Sequence, residues 1–108
     1  MSKQQLETLT EPMYYILLAL KKERHGYDII KSTSELTNGR VTLGAGTVYS
    51  LLSRFEKEGL ISKEREDERR KLYILTPKGA NILEEEYERL QHQVADAKLI
   101  LEGERRDK

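Results

Sequence analysis

The stretch Gly44-Ala45-Gly46-Thr47-Val48-Tyr49-Ser50-Leu51-Leu52-Ser53-Arg54-Phe55-Glu56-Lys57-Glu58-Gly59 has two different faces. Val48, Leu51, Leu52 and Phe55 fall at i, i+3, i+4 and i+7. That period predicts a helix from Thr47 to about Glu58 with one buried stripe, closed by Gly59. Thr47, Ser50, Arg54 and Lys57 occupy the other side, two hydroxyls near the N-terminus and two cations further along. An α-helix of this kind fits a DNA major groove. Its N-terminus also exposes free N–H groups that favour phosphate. Arg54 suits either a phosphate or the edge of a guanine, and Lys57 a phosphate. Tyr49 borders both faces, placed either to pack against the hairpin wing that follows or to offer its hydroxyl to a phosphate. A solvated polar face is the ordinary alternative for such a helix side, so its surroundings decide.

Upstream, Thr10 is a helix cap with Glu11 and Pro12 in the first turn, where Pro is tolerated. Met13, Ile16, Leu17 and Leu20 form one apolar stripe, widened by Tyr14, Tyr15 and Leu18. That helix should end in the polar residues 21–24. A second helix is expected over residues 27–37, with Tyr27 in the core and Asn38-Gly39 as its left-handed stop. Residues 40–43 are short and β-prone. Downstream, Leu60-Ile61 and Leu72-Tyr73-Ile74-Leu75 flank a charged stretch and predict a hairpin. Arg69, Arg70 and Lys71 on it suit a phosphate run, although Glu64, Glu66, Asp67 and Glu68 precede them. Thr76-Pro77 opens a last helix to about Leu101. In it Leu83, Tyr87, Leu90, Val94, Ala97 and Leu101 are spaced 4, 3, 4, 3, 4, a heptad seam. A helix over 77–101 is roughly 37 Å long, more than a small helical core can cover, so a second subunit is expected along the seam.

The fold class expected is therefore mainly α with a small β-hairpin wing: a winged helix-turn-helix over residues 1–76, a long C-terminal dimerisation helix over 77–101, and a charged flexible tail over 102–108. The 108 residues make one domain. Their formal net charge is zero, which weighs against a DNA-binder. The charge is unevenly placed, however. Residues 1–78 hold 14 Lys/Arg against 11 Asp/Glu, or +3, and residues 79–108 hold 5 against 8, or −3. The local field on one face is what a polyanion meets.

Other classes find little support. Without Cys there is no disulfide, no thiolate nucleophile and no thiolate metal site. His25 reads as a turn residue beside Gly26, and His92 lies off the seam, so no metal is expected. Gly44-Ala45-Gly46 is a weak sign of a nucleotide site, and Glu84-Glu85-Glu86 reads as a surface charge block. No cofactor and no catalysis are expected. The longest apolar run, residues 13–20, is far short of a membrane span, and the N-terminus lacks a signal-peptide pattern. A cytoplasmic location follows as the expectation.

Several segments in order make the chain resemble the PadR family of transcriptional regulators. They are Leu9-Thr10-Glu11-Pro12-Met13-Tyr14-Tyr15-Ile16-Leu17-Leu18-Ala19-Leu20, His25-Gly26-Tyr27, Gly46-Thr47-Val48-Tyr49, Glu58-Gly59-Leu60-Ile61 and Leu75-Thr76-Pro77-Lys78-Gly79. The resemblance spans roughly residues 9–100 and is to the short form, with a single C-terminal helix. It implies a homodimer that represses transcription from a double-stranded DNA operator, an inverted repeat. It implies operator contacts from the third helix and the wing, and release by a small phenolic or hydrophobic molecule. Candidate pocket residues are Tyr14, Tyr15, Tyr87 and Leu90, which serve equally as dimer core. Ala45 departs from the family, where Pro often stands, and should loosen the loop slightly. A winged-helix module that binds a protein rather than DNA is the alternative that the zero net charge and acidic last helix leave open.

Overall fold

The computed structural model describes residues 8–67 and 70–107. The element order is α1 (Glu11–Ala19), β1 (Arg24–His25), α2 (Gly26–Leu36), α3 (Ala45–Lys57), β2 (Ile61–Asp67), β3 (Arg70–Leu75) and α4 (Pro77–Asp107). The strands form one antiparallel sheet in the order β1-β3-β2. The core lies where α1, α2 and α3 meet the base of this sheet. Ile16, Leu17, Leu20, Ile29, Val48, Leu52, Phe55, Leu60 and Ile61 fill it, all but inaccessible to solvent.

Local chemistry sets most boundaries. Thr10 caps α1, its hydroxyl accepting from Met13 N–H at 3.4 Å, with Pro in the first turn. Asn38 and Gly39 take φ of 55° and 78°, the left-handed stop after α2. Gly44 precedes α3 in extended conformation, φ −81° and ψ 147°.

Six expectations need correction. α3 begins at Ala45, so the family's Pro position is the first residue of the helix and not part of a loop. Ala is the best helix former, so its presence there does not loosen a loop. α2 begins at Gly26, and its buried stripe runs through Gly26, Ile29 and Thr33. Tyr27 is rotated off that stripe and stands 62% exposed rather than in the core. Residues 40–43 form no strand. Val41 and Leu43 bury their side chains, while Val41 N–H is satisfied by the Thr37 hydroxyl at 3.0 Å. The polar helix end expected at 21–24 instead leads into β1, where Arg24 and His25 pair with Tyr73 and Leu72. Finally, α4 does not stop at Leu101 but continues to Asp107, through the segment expected as a flexible tail. Glu and Arg there are good helix formers, and a helix already nucleated extends cheaply. The hairpin also reaches further into the charged stretch than the apolar runs suggested, to Asp67 and Arg70.

The departure of α4 is set by a close backbone contact. Thr76 Oγ1 donates to the Gly59 carbonyl at 2.6 Å, and Thr76 N–H donates to the Leu60 carbonyl at 3.0 Å. The same hydroxyl accepts from Gly79 N–H at 3.1 Å, capping α4. Lys78 Nζ reaches the Glu58 carbonyl at 3.0 Å. Gly79 is thereby pressed onto the Leu60 peptide, and a Cβ there would overlap the Leu60 carbonyl oxygen, which is backbone and cannot swing aside. Two of the recurrent segments, Glu58-Gly59-Leu60-Ile61 and Leu75-Thr76-Pro77-Lys78-Gly79, are thus the two halves of one contact. Gly79→Ala should cost about 3 kcal/mol through overpacking, read as a lowered midpoint in urea denaturation.

Candidate nucleic-acid interface and the α1–α4 face

The buried stripe of α3 is Val48, Leu52 and Phe55, with Leu51 half-buried. Directly opposite, at i, i+3 and i+7, stand Ser50, Ser53 and Lys57, all exposed. Ser53 was missed in the sequence. The signal was there, since it lies three residues after Ser50 and four before Lys57. Thr47 is exposed on one flank of this face. Arg54 lies on the same flank and is half-buried, its Nε 3.0 Å from Glu58 Oε2. The i, i+4 geometry favours that pair. It draws the guanidinium toward the C-terminal end of α3 and makes Lys57 the cation best placed on the outward face.

Tyr49 packs over the start of α2. A Cβ on residue 26 would sit 2.6 Å from Tyr49 Cε1 and 2.8 Å from its hydroxyl oxygen, so a side chain there would push the ring aside. The segments His25-Gly26-Tyr27 and Gly46-Thr47-Val48-Tyr49 are again partners in space. The Tyr49 ring remains 53% exposed and forms one wall of a cleft of about 330 Å³ between α3 and the sheet. His25, Gly26, Ser53, Arg70, Lys71 and Tyr73 line the rest. His25 Nδ1 lies 3.3 Å from the Lys71 carbonyl, which ties β1 to β3 beneath the cleft.

On the wing, Lys63 pairs with Glu66 at 3.6 Å, and Arg65 with Glu23 on the loop before β1 at 3.5 Å. Arg70 and Lys71 are exposed. Arg69 lies outside the described residues.

The other surface of interest is the meeting of α1 and α4. Leu83, expected in the seam with a partner, is only 6% exposed and belongs to its own core. The open part of the seam begins at Tyr87. Leu90 is half-buried, and from Gln91 to Leu101 every residue is exposed, Val94, Ala97 and Leu101 included. Tyr14, Tyr87, Leu90 and Val94 come together with Ala95 around an apolar groove of about 380 Å³. Tyr15 is not part of it. Its hydroxyl accepts from Arg40 Nη2 at 3.3 Å on another side of α1, where its ring lines a groove with Leu18 and Leu36.

Glu86, expected on the surface with Glu84 and Glu85, has a side chain only 5% exposed. It accepts from Arg89 Nε at 3.0 Å and from Leu9 N–H at 3.4 Å, clasping the start of α1 to α4. The Arg89 hydrogen bonds hold its carboxyl below the usual range, and the Leu9 bond adds to this, against the opposing effect of burial. Burial, with Tyr15, Tyr87 and Glu86 nearby, pushes the Tyr14 phenol up, so it stays a neutral hydrogen-bonding group. Among the described residues, no three His, Cys, Asp or Glu side chains gather to hold a metal ion, and no helix is long and apolar enough to cross a membrane.

Helix-turn-helix, hairpin and a long, partly uncovered last helix define a winged helix-turn-helix protein. The chain belongs to the transcriptional regulator PadR-like family, whose profile matches residues 16–85. It is 34% identical over 71 residues to transcriptional regulator YqjI of Escherichia coli, a match covering 66% of this chain. The matched region is 34% of the length of that relative. Among solved structures it resembles a PadR-like transcriptional regulator from Bacillus cereus, with TM-score 0.67 and 27% identity over 82% of this chain and 88% of that one. A transcriptional regulator from Clostridium thermocellum gives TM-score 0.72 and 26% identity over 82% and 90%. These relatives are transcriptional regulators.

The lowered pKa of Glu86 fixes a pH dependence. A carboxyl whose folded value lies below its unfolded one stabilises the fold above the unfolded value. That contribution is lost as pH falls through the folded one. Acid should therefore weaken the Leu9–Glu86–Arg89 clasp at the lower edge of the carboxylate range. Glu86→Gln should lower stability at neutral pH by about 1–2 kcal/mol, the difference between a charged and a neutral acceptor. It should also flatten the acid limb of a plot of unfolding free energy against pH.

Proposed function

We propose that this chain is a homodimeric, cytoplasmic DNA-binding repressor that recognises an inverted repeat in double-stranded DNA. The observation that carries the reading is the outward face of α3, Ser50, Ser53 and Lys57, together with the exposed Arg70 and Lys71 of the wing. Small polar side chains near the helix start suit base edges and phosphates, and cations at the margin suit the flanking backbone. Residues 1–76 form the reading head in this account, and α4 joins two copies through Tyr87, Leu90, Val94, Ala97 and Leu101. Two-fold symmetry then places half-sites about one helical turn apart, or a multiple of it.

The apolar groove of Tyr14, Tyr87, Leu90 and Val94 is the candidate site for a hydrophobic or phenolic effector. Such a ligand releases DNA only by favouring one dimer geometry over another. The groove borders the proposed dimer seam, where a change in helix packing alters the spacing of the two reading heads.

Two measurements test this reading. Leu90→Asp with Val94→Asp puts charges on the open seam, outside the protomer core. Sedimentation should show a folded monomer, and an unchanged dimer would refute the assigned interface. DNA selected from a random pool by the purified protein should contain an inverted repeat. Against that DNA, Lys57→Ala should weaken binding and lower the slope of log affinity against log salt by about one unit per lost phosphate contact. If the wild type selects no DNA, the protein-interaction alternative replaces this reading.

A further inference from the structure

Arg54 stands in the last turn of α3, and Glu58 is the residue that caps the helix. Their side chains are 41% and 27% exposed, with Arg54 Nε 3.0 Å from Glu58 Oε2. Three features set this pair apart from an ordinary surface pair. The other carboxylate oxygen, Glu58 Oε1, is shut off from solvent and meets no hydrogen-bond donor among the described residues. A carboxylate that has lost water on one oxygen depends more on the cation at the other. Glu58 also stands at the negative end of the helix dipole, which adds to that dependence. Finally, the cation precedes the acid along the chain, the weaker order for an i, i+4 pair. Helical side chains lean toward the N-terminus, so Arg54 reaches Glu58 against that lean. Released, its guanidinium falls back over the turn that carries Ser50, on the outward face of α3.

We propose that Glu58 is a built-in competitor of DNA: it occupies Arg54 and so limits the affinity of the reading head. The inference rests on the DNA-binding reading for its partner, and goes beyond it by giving an acid a role. A carboxylate is an acceptor-only anion, as a phosphate is, and takes a guanidinium in the same way. The backbone around Glu58 is anchored, with Lys78 on its carbonyl and Thr76 on the Gly59 and Leu60 carbonyls. The carboxylate is therefore the fixed member of the pair, and the long Arg54 side chain is the one that can swing. Each cation brought to a backbone phosphate strengthens binding and steepens its salt dependence. While the pair holds, one such contact is missing. The physical use of the arrangement is release. Within one interface, affinity is set mostly by the rate of leaving, so a reading head with one cation occupied leaves its site sooner.

Glu58→Gln keeps the shape of the side chain and removes its charge. Glu56→Gln makes the same charge change at an exposed position of the same helix and serves as the control. In Arg54→Ala, Lys78 still stands beside Glu58, so that variant and the double variant Arg54→Ala with Glu58→Gln should fold. Affinity is measured against salt for a duplex selected by the wild type and for a random duplex. Glu58→Gln should bind the selected duplex about threefold more tightly at low salt, with a slope steeper by up to about one unit. Glu56→Gln should gain less and keep the wild-type slope. The excess gain should vanish in the double variant. By NMR, the Arg54 Nε–H signal should stay in place when duplex is added to the wild type and move when it is added to Glu58→Gln. A gain equal to that of Glu56→Gln, or one that survives in the double variant, overturns the proposal. If the wild type selects no DNA, the random duplex decides. A gain there that needs Arg54 keeps the competitor and discards only the sequence-specific reading, and no gain discards both.

Discussion

Where α4 crosses the turn after α3, two backbones touch. Gly79 lies on the Leu60 peptide, and the Thr76 hydroxyl both donates to the Gly59 carbonyl and caps α4. Much of the architecture follows from this contact. The Thr76 bond to the Leu60 carbonyl continues the ladder that pairs Ile61 with Leu75, so it fixes the register of the wing. The end of α3 is closed by the N–H groups of Glu58, Leu60 and Gly59 on the carbonyls of Arg54, Phe55 and Glu56, and Lys78 adds a bond to the Glu58 carbonyl. The direction in which α4 leaves, and hence the placing of its apolar stripe against Tyr14, is set at the same point. A side chain at position 79 would disturb all of these together, because the atom it meets is main chain.

The zero net charge is resolved by position. Glu66 in the wing is matched with Lys63, Glu23 before β1 with Arg65, and Glu58 with Arg54. Lys57, Arg70 and Lys71 remain exposed. Such pairs contribute little to stability when exposed, but they decide which cations are available to a polyanion. A sum over the chain cannot report this, since the field at a surface depends on which charges share it.

α4 plays two parts along its length. Its first turns belong to the domain: Leu83 enters the core and Glu86 clasps Leu9. Beyond Leu90 the helix has no cover of its own, yet it still carries Val94, Ala97 and Leu101. An isolated helix gains little stability from propensity alone and depends on packing its apolar face. The stripe therefore has a physical need that the single chain does not meet, and this need supports the dimeric reading proposed above.

Sequence periodicity determined the order of helices and hairpin, the inward face of α3 and the capping of α1 and α4. Those features are local: a 3.6-residue repeat and a capping residue act within one or two turns of chain. Four of the five segments that carry the family resemblance form two pairs that touch. Tertiary structure decided what the pattern left ambiguous. It turned Tyr27 outward, drew Leu83 and Glu86 inward, paired Arg24 and His25 with β3, and gave Arg54 to Glu58. It also joined Ser53 and His25, 28 positions apart in sequence, with Arg70 and Lys71 in one cleft. None of these could follow from spacing alone. Each depends on which distant segment fills the neighbouring volume, and close packing of the core and the clasp at Gly79 settles that.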